Sequence, residues 1–247
     1  MTALFPSTPP SRPPAASRIK PSALRSIARS VRDGSRQTFQ RLRLNQGLAT
    51  LERTLRIGAT PGPRLLNQLV RGWGNEAWSA GTPLLQAILD WLPRTKGAIA
   101  ECGSGLSTLV LATGASQSGR HVYTFEHDAD WAGRVESRMP SRLRKSVKLL
   151  VTPIRSYGAF DWYSLEGVAA PASIGFVVCD GPPGATRGGR YGLGPVLRSQ
   201  LAPGCIVLLD DTQRPSESEV VSRWCSEMGA SVVHKGETYN ILSLGTA

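Results

Sequence analysis

An alternation of strand-like and helix-like segments that begins near residue 98 limits the fold most strongly. Five short apolar runs, rich in β-branched or aromatic residues and bounded by turn residues, are GAIAE, HVYTFE, VKLLV, IGFVVCD and CIVLLDD. Helical patterns lie between them: LSTLVLATGA, ADWAGRVESRM, YGLGPVLRSQL and SESEVVSRWCSEM. Strands that alternate with helices in this way form a parallel sheet with helices on both faces.

The C-terminal segment breaks this alternation. ASVVHKGETYNILSL contains two strand-like runs joined by Lys-Gly-Glu, a pattern typical of a hairpin. The chain is therefore expected to be an α/β protein, with a doubly wound seven-stranded, mostly parallel sheet that ends in an antiparallel hairpin.

Positive charge is concentrated before this body. Residues 1–56 carry eleven basic and two acidic side chains, which is nine of the eleven net positive charges of the chain. We expect a disordered, Pro- and Ser-rich tail over residues 1–20, a basic helical extension or lid over 21–72, and the main domain over 73–247. The extension resembles three things: a solvated tail with a lid helix, an organelle transit peptide, or a helix that rests on an anionic surface.

Composition also excludes several classes of protein. The four cysteines never form Cys-x-x-Cys, which argues against a zinc site or a disulfide framework. The sequence has neither an apolar stretch long enough to span a membrane nor the apolar core of a signal peptide, so a cytoplasmic location is expected. Because residues 57–247 are nearly neutral, nucleic acid is not favoured as a partner. No oligomeric state follows from these patterns.

Acidic and glycine residues follow the first two predicted strands. Glu101, Gly103, Ser104 and Gly105 end the first strand, where a Gly-x-Gly turn brings the backbone close to a ligand at a helix N-terminus. Glu126 ends the second strand, where an acid can accept hydrogen bonds from both hydroxyls of a ribose. Taken singly, the turn is equally typical of any tight strand-to-helix connection, and Glu126 of the start of a helix.

A second acidic group follows the later strands. Asp180, Asp210 and Asp211 all stand at strand ends, and clustered carboxylates are costly unless they are paired or bound to a metal. The alternative is that Asp211 caps a helix near Pro215 and that Asp180 orients the loop that follows it.

Basic and aromatic residues are expected around the same rim. Arg187, Arg190 and Tyr191 follow the fourth strand in a glycine-rich loop, and Arg214 follows the fifth, so these four are candidates for binding an anionic substrate. Solvated surface arginines are the alternative. His127 is a candidate general base or a ligand contact at the end of the second strand.

Together these residues resemble the class I S-adenosylmethionine-dependent methyltransferases. The resemblance rests on Glu101-x-Gly103-x-Gly105, Glu126, Asp180-Gly-Pro-Pro and the closing hairpin, and it covers about residues 73–245. It implies a Rossmann-like sheet and S-adenosylmethionine as cofactor. The cofactor contacts it implies are listed together: Glu101, Gly103, Ser104, Gly105, Glu126, His127 and Asp180. The acid that the family often places near the adenine is missing, because Val151-Thr152-Pro153-Ile154 follows the third strand.

The aspartates add a resemblance to catechol-type and macrocin-type O-methyltransferases, which hold Mg²⁺ in a similar arrangement. This implies methyl transfer to a small-molecule acceptor at a hydroxyl oxygen, with Asp180, Asp210 and His127 as catalytic residues and Asp180, Asp210 and Asp211 as metal ligands. Two alternatives stay open. One is an NAD(P)-dependent oxidoreductase, although position 108 of the turn is Thr where that fingerprint has Gly. The other is a methyltransferase docked by its basic tail on a membrane or a macromolecule.

Overall fold

The structure is a computed structural model that describes residues 21–75 and 79–245, with side chains from residue 34 onward in the first helix. The helices are α1 (Pro21–Arg56), α2 (Pro63–Trp73), α3 (Thr82–Trp91), α4 (Leu106–Ser116), α5 (Ala129–Arg138), α6 (Ser141–Arg144), α7 (Leu193–Leu197) and α8 (Pro215–Met228). The strands are β1 (Ala98–Cys102), β2 (Val122–Glu126), β3 (Val147–Val151), β4 (Ile154–Ser156), β5 (Asp161–Tyr163), β6 (Ile174–Cys179), β7 (Leu201–Leu209), β8 (Ser231–Lys235) and β9 (Asn240–Ser243).

Seven strands form one sheet in the order β3-β2-β1-β6-β7-β9-β8. The first five of these pair in parallel, whereas β9 is antiparallel to both β7 and β8. The expected Rossmann-like sheet with a closing hairpin is thus confirmed. The strand order reverses between β1 and β6, which is the point where open parallel sheets bind ligands.

Local sequence explains where the main helices begin and end. Pro83 and Pro215 lie in the first turns of α3 and α8, where proline removes an N–H that would have no helical partner. The side chain of Asp128 accepts a hydrogen bond from the backbone N–H of Trp131 and so caps α5. These caps fix where the loops at the carboxyl end of the sheet pass into helices.

Two segments differ from the expected pattern. The helix expected over YGLGPVLRSQL is broken into a 3-10 turn (Gly189–Gly192), the five residues of α7 and a second 3-10 turn (Arg198–Gln200). Three residues of that stretch, Gly192, Gly194 and Pro195, lower its helix propensity. The segment YGAFDWYSL, which follows the third expected strand, contributes to the small β4–β5 hairpin, and the expected strands did not include this hairpin.

The N-terminal region falls partly outside the main unit. Contacts divide the chain into Met1–Thr38 and Phe39–Ala247, so the larger unit begins well before the expected boundary at residue 73. From Phe39 onward, α1 buries Leu44, Leu48 and Leu51 in the same apolar cluster as α3 and α4. The tail expected over residues 1–20 lies outside the described residues. Within the described ranges, no helix is both long enough and apolar enough to cross a membrane.

Candidate active site

A cavity of about 510 Å³ opens at the carboxyl ends of β1 and β6, where the strand order reverses. Its volume is within the range of small-molecule and cofactor sites. Its lining comes from loops after β1, β2, β6 and β7 and from residues that precede α3: Asn75, Ser79, Gly103, Ser104, Glu126, His127, Asp128, Trp131, Tyr163, Asp180, Gly181, Pro183, Gly184, Arg190, Asp210, Asp211 and Arg214. The site predicted at the sheet's carboxyl edge thus coincides with a cavity.

Two glycines let the loops after β1 and β6 touch. Gly103 has a φ of +84°, and a Cβ atom added there would lie 3.1 Å from the backbone nitrogen of Gly181. A Cβ atom at Gly181 would overlap the Tyr163 hydroxyl and would lie 2.9 Å from Gly103. Side chains at either position would therefore force the two loops apart.

Glu126 projects into the cavity from the end of β2. Its Oε2 accepts hydrogen bonds from the backbone N–H and the hydroxyl of Ser104, at 2.9 and 2.8 Å. Its Oε1 accepts from the backbone N–H groups of His127 and Asp128, and His127 Nδ1 lies 3.0 Å away. The carboxylate is therefore held at one orientation beside the turn after β1, by backbone N–H groups, one hydroxyl and the ring of His127.

Glu101, one of the predicted cofactor contacts, lies beneath the cavity and does not line it. The residue is fully buried, and its Oε2 accepts hydrogen bonds from the hydroxyls of Thr108 and Thr124, at 2.7 and 2.8 Å. Thr108 in turn accepts from the backbone N–H of Gly105. Burial raises the pKa of Glu101 to about 7. Glu101 therefore braces the turn, and so does Thr108, the residue that departs from the dinucleotide fingerprint.

Asp180, Asp210 and Asp211 do converge, with one carboxylate oxygen of each within 4.8 Å of the others. Two arginines lie among them. Nη2 of Arg190 lies 2.9 Å from Asp180 Oδ1 and 2.7 Å from Asp211 Oδ2, and Nη1 of Arg214 lies 2.9 Å from Asp211 Oδ2. Asp211 has a φ of +59°, an uncommon conformation that aspartate tolerates and that often marks functional sites.

Burial dominates the electrostatics of these aspartates. It raises the pKa of Asp180 to about 7, with Asp210 and Asp211 adding to the rise and Arg190 opposing it. The pKa of Asp210 is raised for the same principal reason. Asp180 therefore exchanges its proton near neutral pH, as a general base must.

The three carboxylates do not fit a Mg²⁺ ion well. Mg²⁺ requires octahedral oxygen ligands at 2.0–2.1 Å. Here the guanidinium of Arg190 already occupies oxygens of Asp180 and Asp211, and Arg214 shares an oxygen of Asp211. A divalent ion that used these oxygens would have to displace the guanidinium groups, and one that used the remaining carboxylate oxygens would lie beside two positive charges.

The four predicted substrate-binding residues separate into two pairs. Arg190 and Arg214 line the cavity. Arg187 does not; it bonds to Asp161 Oδ1 and Ser156 Oγ, at 2.7 and 2.8 Å. Tyr191 lies outside as well, where its hydroxyl donates to Glu227 and Arg223 lies 3.5 Å from its ring centroid.

The cavity also contains residues that were not predicted for it. Trp131 donates from its indole N–H to the carbonyl of Ser104, at 2.8 Å. It lies in the first turn of α5, shortly after Glu126 ends β2. Tyr163 reaches the cavity from β5. The sequence signal for Trp131 was an aromatic residue in the first turn of the helix that follows Glu126. No local pattern around Tyr163 indicated that it would reach the cavity.

The segment after β3 and the side chain of Trp73 lie near the cavity without lining it. The backbone N–H of Thr152 donates to the carbonyl of Glu126, at 2.7 Å, and residues 151–154 are not among the described residues that line the cavity. Trp73 packs edge-on against Trp131, which does line it, at a ring-centroid distance of 6.2 Å.

Comparison with known proteins relates this geometry to methyltransferases. Residues 100–212 match the model of a methyltransferase domain. No curated protein sequence matches the chain. Among solved structures, a protein assigned as a caffeoyl-CoA O-methyltransferase from Staphylococcus aureus has a TM-score of 0.55 at 12% identity, covering 72% of this chain and 91% of that one.

Two other solved structures agree. A methyltransferase from Geobacter sulfurreducens has a TM-score of 0.53 at 14% identity and covers 76% of this chain and 93% of that one. A methyltransferase from Podospora anserina, solved with S-adenosylhomocysteine, has a TM-score of 0.52 at 12% identity, with coverages of 81% and 88%. At these identities the likeness shows the fold. Because the domain model covers the turn after β1, the oxidoreductase alternative loses its support, and residues 100–212 of the chain are similar to a methyltransferase domain.

Proposed function

We propose that the protein transfers a methyl group to a hydroxyl oxygen of a small molecule, with Asp180 as the general base. When bound, S-adenosylmethionine supplies an electrophilic methyl group on a sulfonium. The residues of the chain then have two tasks, which are to hold the two reactants in line and to take the hydroxyl proton.

The cofactor is proposed to lie over the turn after β1. Gly103 brings the backbone close there, and Ser104 and Glu126 line the adjoining wall. The oxygens of Glu126 already point at hydroxyl and N–H donors, so ribose hydroxyls can replace the Ser104 hydroxyl as their partner. His127 belongs to this part of the site, since its ring nitrogen faces Glu126.

The position of Asp180 carries its choice as the base. It lines the cavity at the strand reversal, its loop touches the turn after β1 through Gly181, and its pKa is raised to about 7. A carboxylate with that pKa is about half ionised at pH 7 and is basic enough to remove a proton as the methyl group arrives. Arg190 orients the carboxylate through a hydrogen bond to its Oδ1.

The acceptor is proposed to carry an anionic group that Arg214 contacts. Arg214 lines the cavity, and about half of its side chain is exposed, so its guanidinium has donors left after pairing with Asp211. The predicted Mg²⁺ is not part of this proposal, because two guanidinium groups already pair with the carboxylates of Asp180 and Asp211.

A screen of hydroxylated small acids, in which the release of S-adenosylhomocysteine is measured, tests the proposal. We expect O-methylated product and a kcat/KM that rises with pH up to about 7, because a general base works only when ionised. Asp180→Asn should lower kcat by about 10²–10⁴-fold. It should leave the affinity for S-adenosylhomocysteine nearly unchanged.

Asp90→Asn is a matched control, because Asp90 is an exposed residue of α3 that does not line the cavity. It should behave as wild type. A methyl group found on nitrogen or carbon would contradict the proposal that oxygen is the acceptor atom. A kcat of Asp180→Asn equal to that of wild type would contradict the proposal that Asp180 is the general base.

A further inference from the structure

The acidic cluster of the cavity already contains a cation that the chain supplies. The side chain of Arg190 is only 3% exposed, and its Nη2 bonds to Asp180 Oδ1 and Asp211 Oδ2. The same guanidinium donates to the backbone carbonyls of Asp180 and Asp210. One buried group therefore joins the ends of β6 and β7, the two strands from which the three aspartates project.

A divalent metal would do the same in a site of this composition. It would draw together carboxylates that otherwise repel one another and would offset their charge. Arginine is always charged, and here its Nη2 reaches one carboxylate oxygen of Asp180 and one of Asp211. A divalent cation bound by the same carboxylates would lie beside this guanidinium, and the two positive charges would repel each other.

We propose that Arg190 takes the place of a divalent metal, so that the carboxylate cluster is complete without one. Arg190 is then a positioning residue that fixes the orientation of Asp180 and Asp211. The glycines that precede it allow this arrangement, since Gly188 and Gly189 both adopt positive φ values, of +78° and +53°, immediately before the arginine turns inward.

Electron paramagnetic resonance with Mn²⁺ tests the inference on the protein itself. Wild-type protein, stripped of metal by a chelator, should leave the signal of free Mn²⁺ unchanged. Stoichiometric Mn²⁺ binding that Asp180→Asn abolishes would overturn the proposal. Because this measurement needs no acceptor, its result is independent of whether hydroxyl methylation is found.

A gain of metal binding gives the sharper test. Arg190→Met removes the guanidinium but keeps most of the volume of the side chain. The carboxylates that lose this partner should then bind one Mn²⁺. Arg190→Lys retains a positive charge and should bind none. Arg155→Met is the control, because Arg155 is an exposed arginine that pairs with Glu166 and does not line the cavity.

The same variant remains informative if it is unstable. Where Arg190→Met has lost its cooperative unfolding transition, Mn²⁺ should restore it, because the metal then supplies the missing positive charge. A variant that neither binds Mn²⁺ nor is rescued by it would overturn the proposal, since the carboxylates would then have no capacity for a metal that Arg190 could replace.

Discussion

The two halves of the cavity hold their carboxylates by different means. In the cofactor half, defined by Ser104, Glu126, His127, Asp128 and Trp131, the Glu126 carboxylate is bound by N–H and O–H groups and faces one imidazole. In the acceptor half, defined by Asp180, Arg190, Asp210, Asp211 and Arg214, guanidinium groups bind the carboxylates of Asp180 and Asp211. Dipoles orient a negative charge and leave it in place, whereas arginines largely neutralise it.

This difference matches what each half is proposed to do. A sulfonium cofactor is positively charged, so a half that keeps its negative charge attracts it. A general base must be held in place and must still exchange a proton. Arg190 bonds to Oδ1 of the Asp180 carboxylate, which orients the group and leaves Oδ2 for the proton. Charge balance thus distinguishes the halves even though both are built from acids at strand ends.

Glu101 gives the largest test of how well neutral donors compensate a buried charge. Its pKa is about 7 in the folded protein and about 4.5 when exposed, so the folded state binds the proton more tightly. The free energy of unfolding should therefore fall as pH rises from about 4.5 to about 7. This loss should amount to about 3 kcal/mol.

Denaturant titrations of wild type and Glu101→Gln over that pH range measure the effect. The difference between the two proteins isolates Glu101, because Asp180 is present in both. The glutamine variant should lack this part of the pH dependence. If the free energies of unfolding of the two proteins changed in parallel with pH, Thr108 and Thr124 would stabilise the ionised carboxylate fully. Neutral donors would then compensate a buried charge as well as arginines do.

Glu126→Gln tests the cofactor half directly. The amide loses charge-assisted hydrogen bonds of about 1.5–3 kcal/mol each, so the affinity for S-adenosylhomocysteine should fall by about 10–100-fold. Titration calorimetry measures it, with Glu136→Gln, an exposed acid of α5, as control. If Asp211→Asn weakened this binding more than Glu126→Gln did, the assignment of the two halves would be reversed.

The sequence placed the strand-end residues of the cavity better than it placed their partners, for a physical reason. Glu126 and Gly103 directly follow strands, and the carboxyl ends of parallel strands meet at one edge of a sheet. Their positions therefore follow from local pattern alone. The same reasoning correctly brought Asp180, Asp210 and Asp211 together.

The partners of these residues depend on contacts that no local pattern contains. Arg187 and Arg190 lie in one glycine-rich loop, yet the first pairs with Asp161 at the surface and the second is buried among aspartates. Their spacing in the sequence does not distinguish them. Tyr163 reaches the cavity only because the β4–β5 hairpin folds back, and that hairpin is two strands of three residues each.

Tyr163 lies between the halves and gives the smallest test. Its hydroxyl is buried, has no hydrogen-bond partner among the described residues, and lies next to Gly181, whose loop touches Gly103. Burial raises the pKa of Tyr163 well above its ordinary value, so the group stays a hydrogen-bond donor near neutral pH. A buried donor without a partner costs stability, and one that meets a ligand recovers that cost on binding.

Tyr163→Phe should therefore change the free energy of unfolding by less than about 1 kcal/mol, in the stabilising direction if at all. It should weaken S-adenosylhomocysteine binding by about 2–10-fold, since the lost hydrogen bond forms only in the complex. Tyr123→Phe is the control, because its hydroxyl meets Lys148 away from the cavity. Lower stability with unchanged affinity would show that the hydroxyl serves the fold and that the cofactor half ends at Glu126 and Trp131.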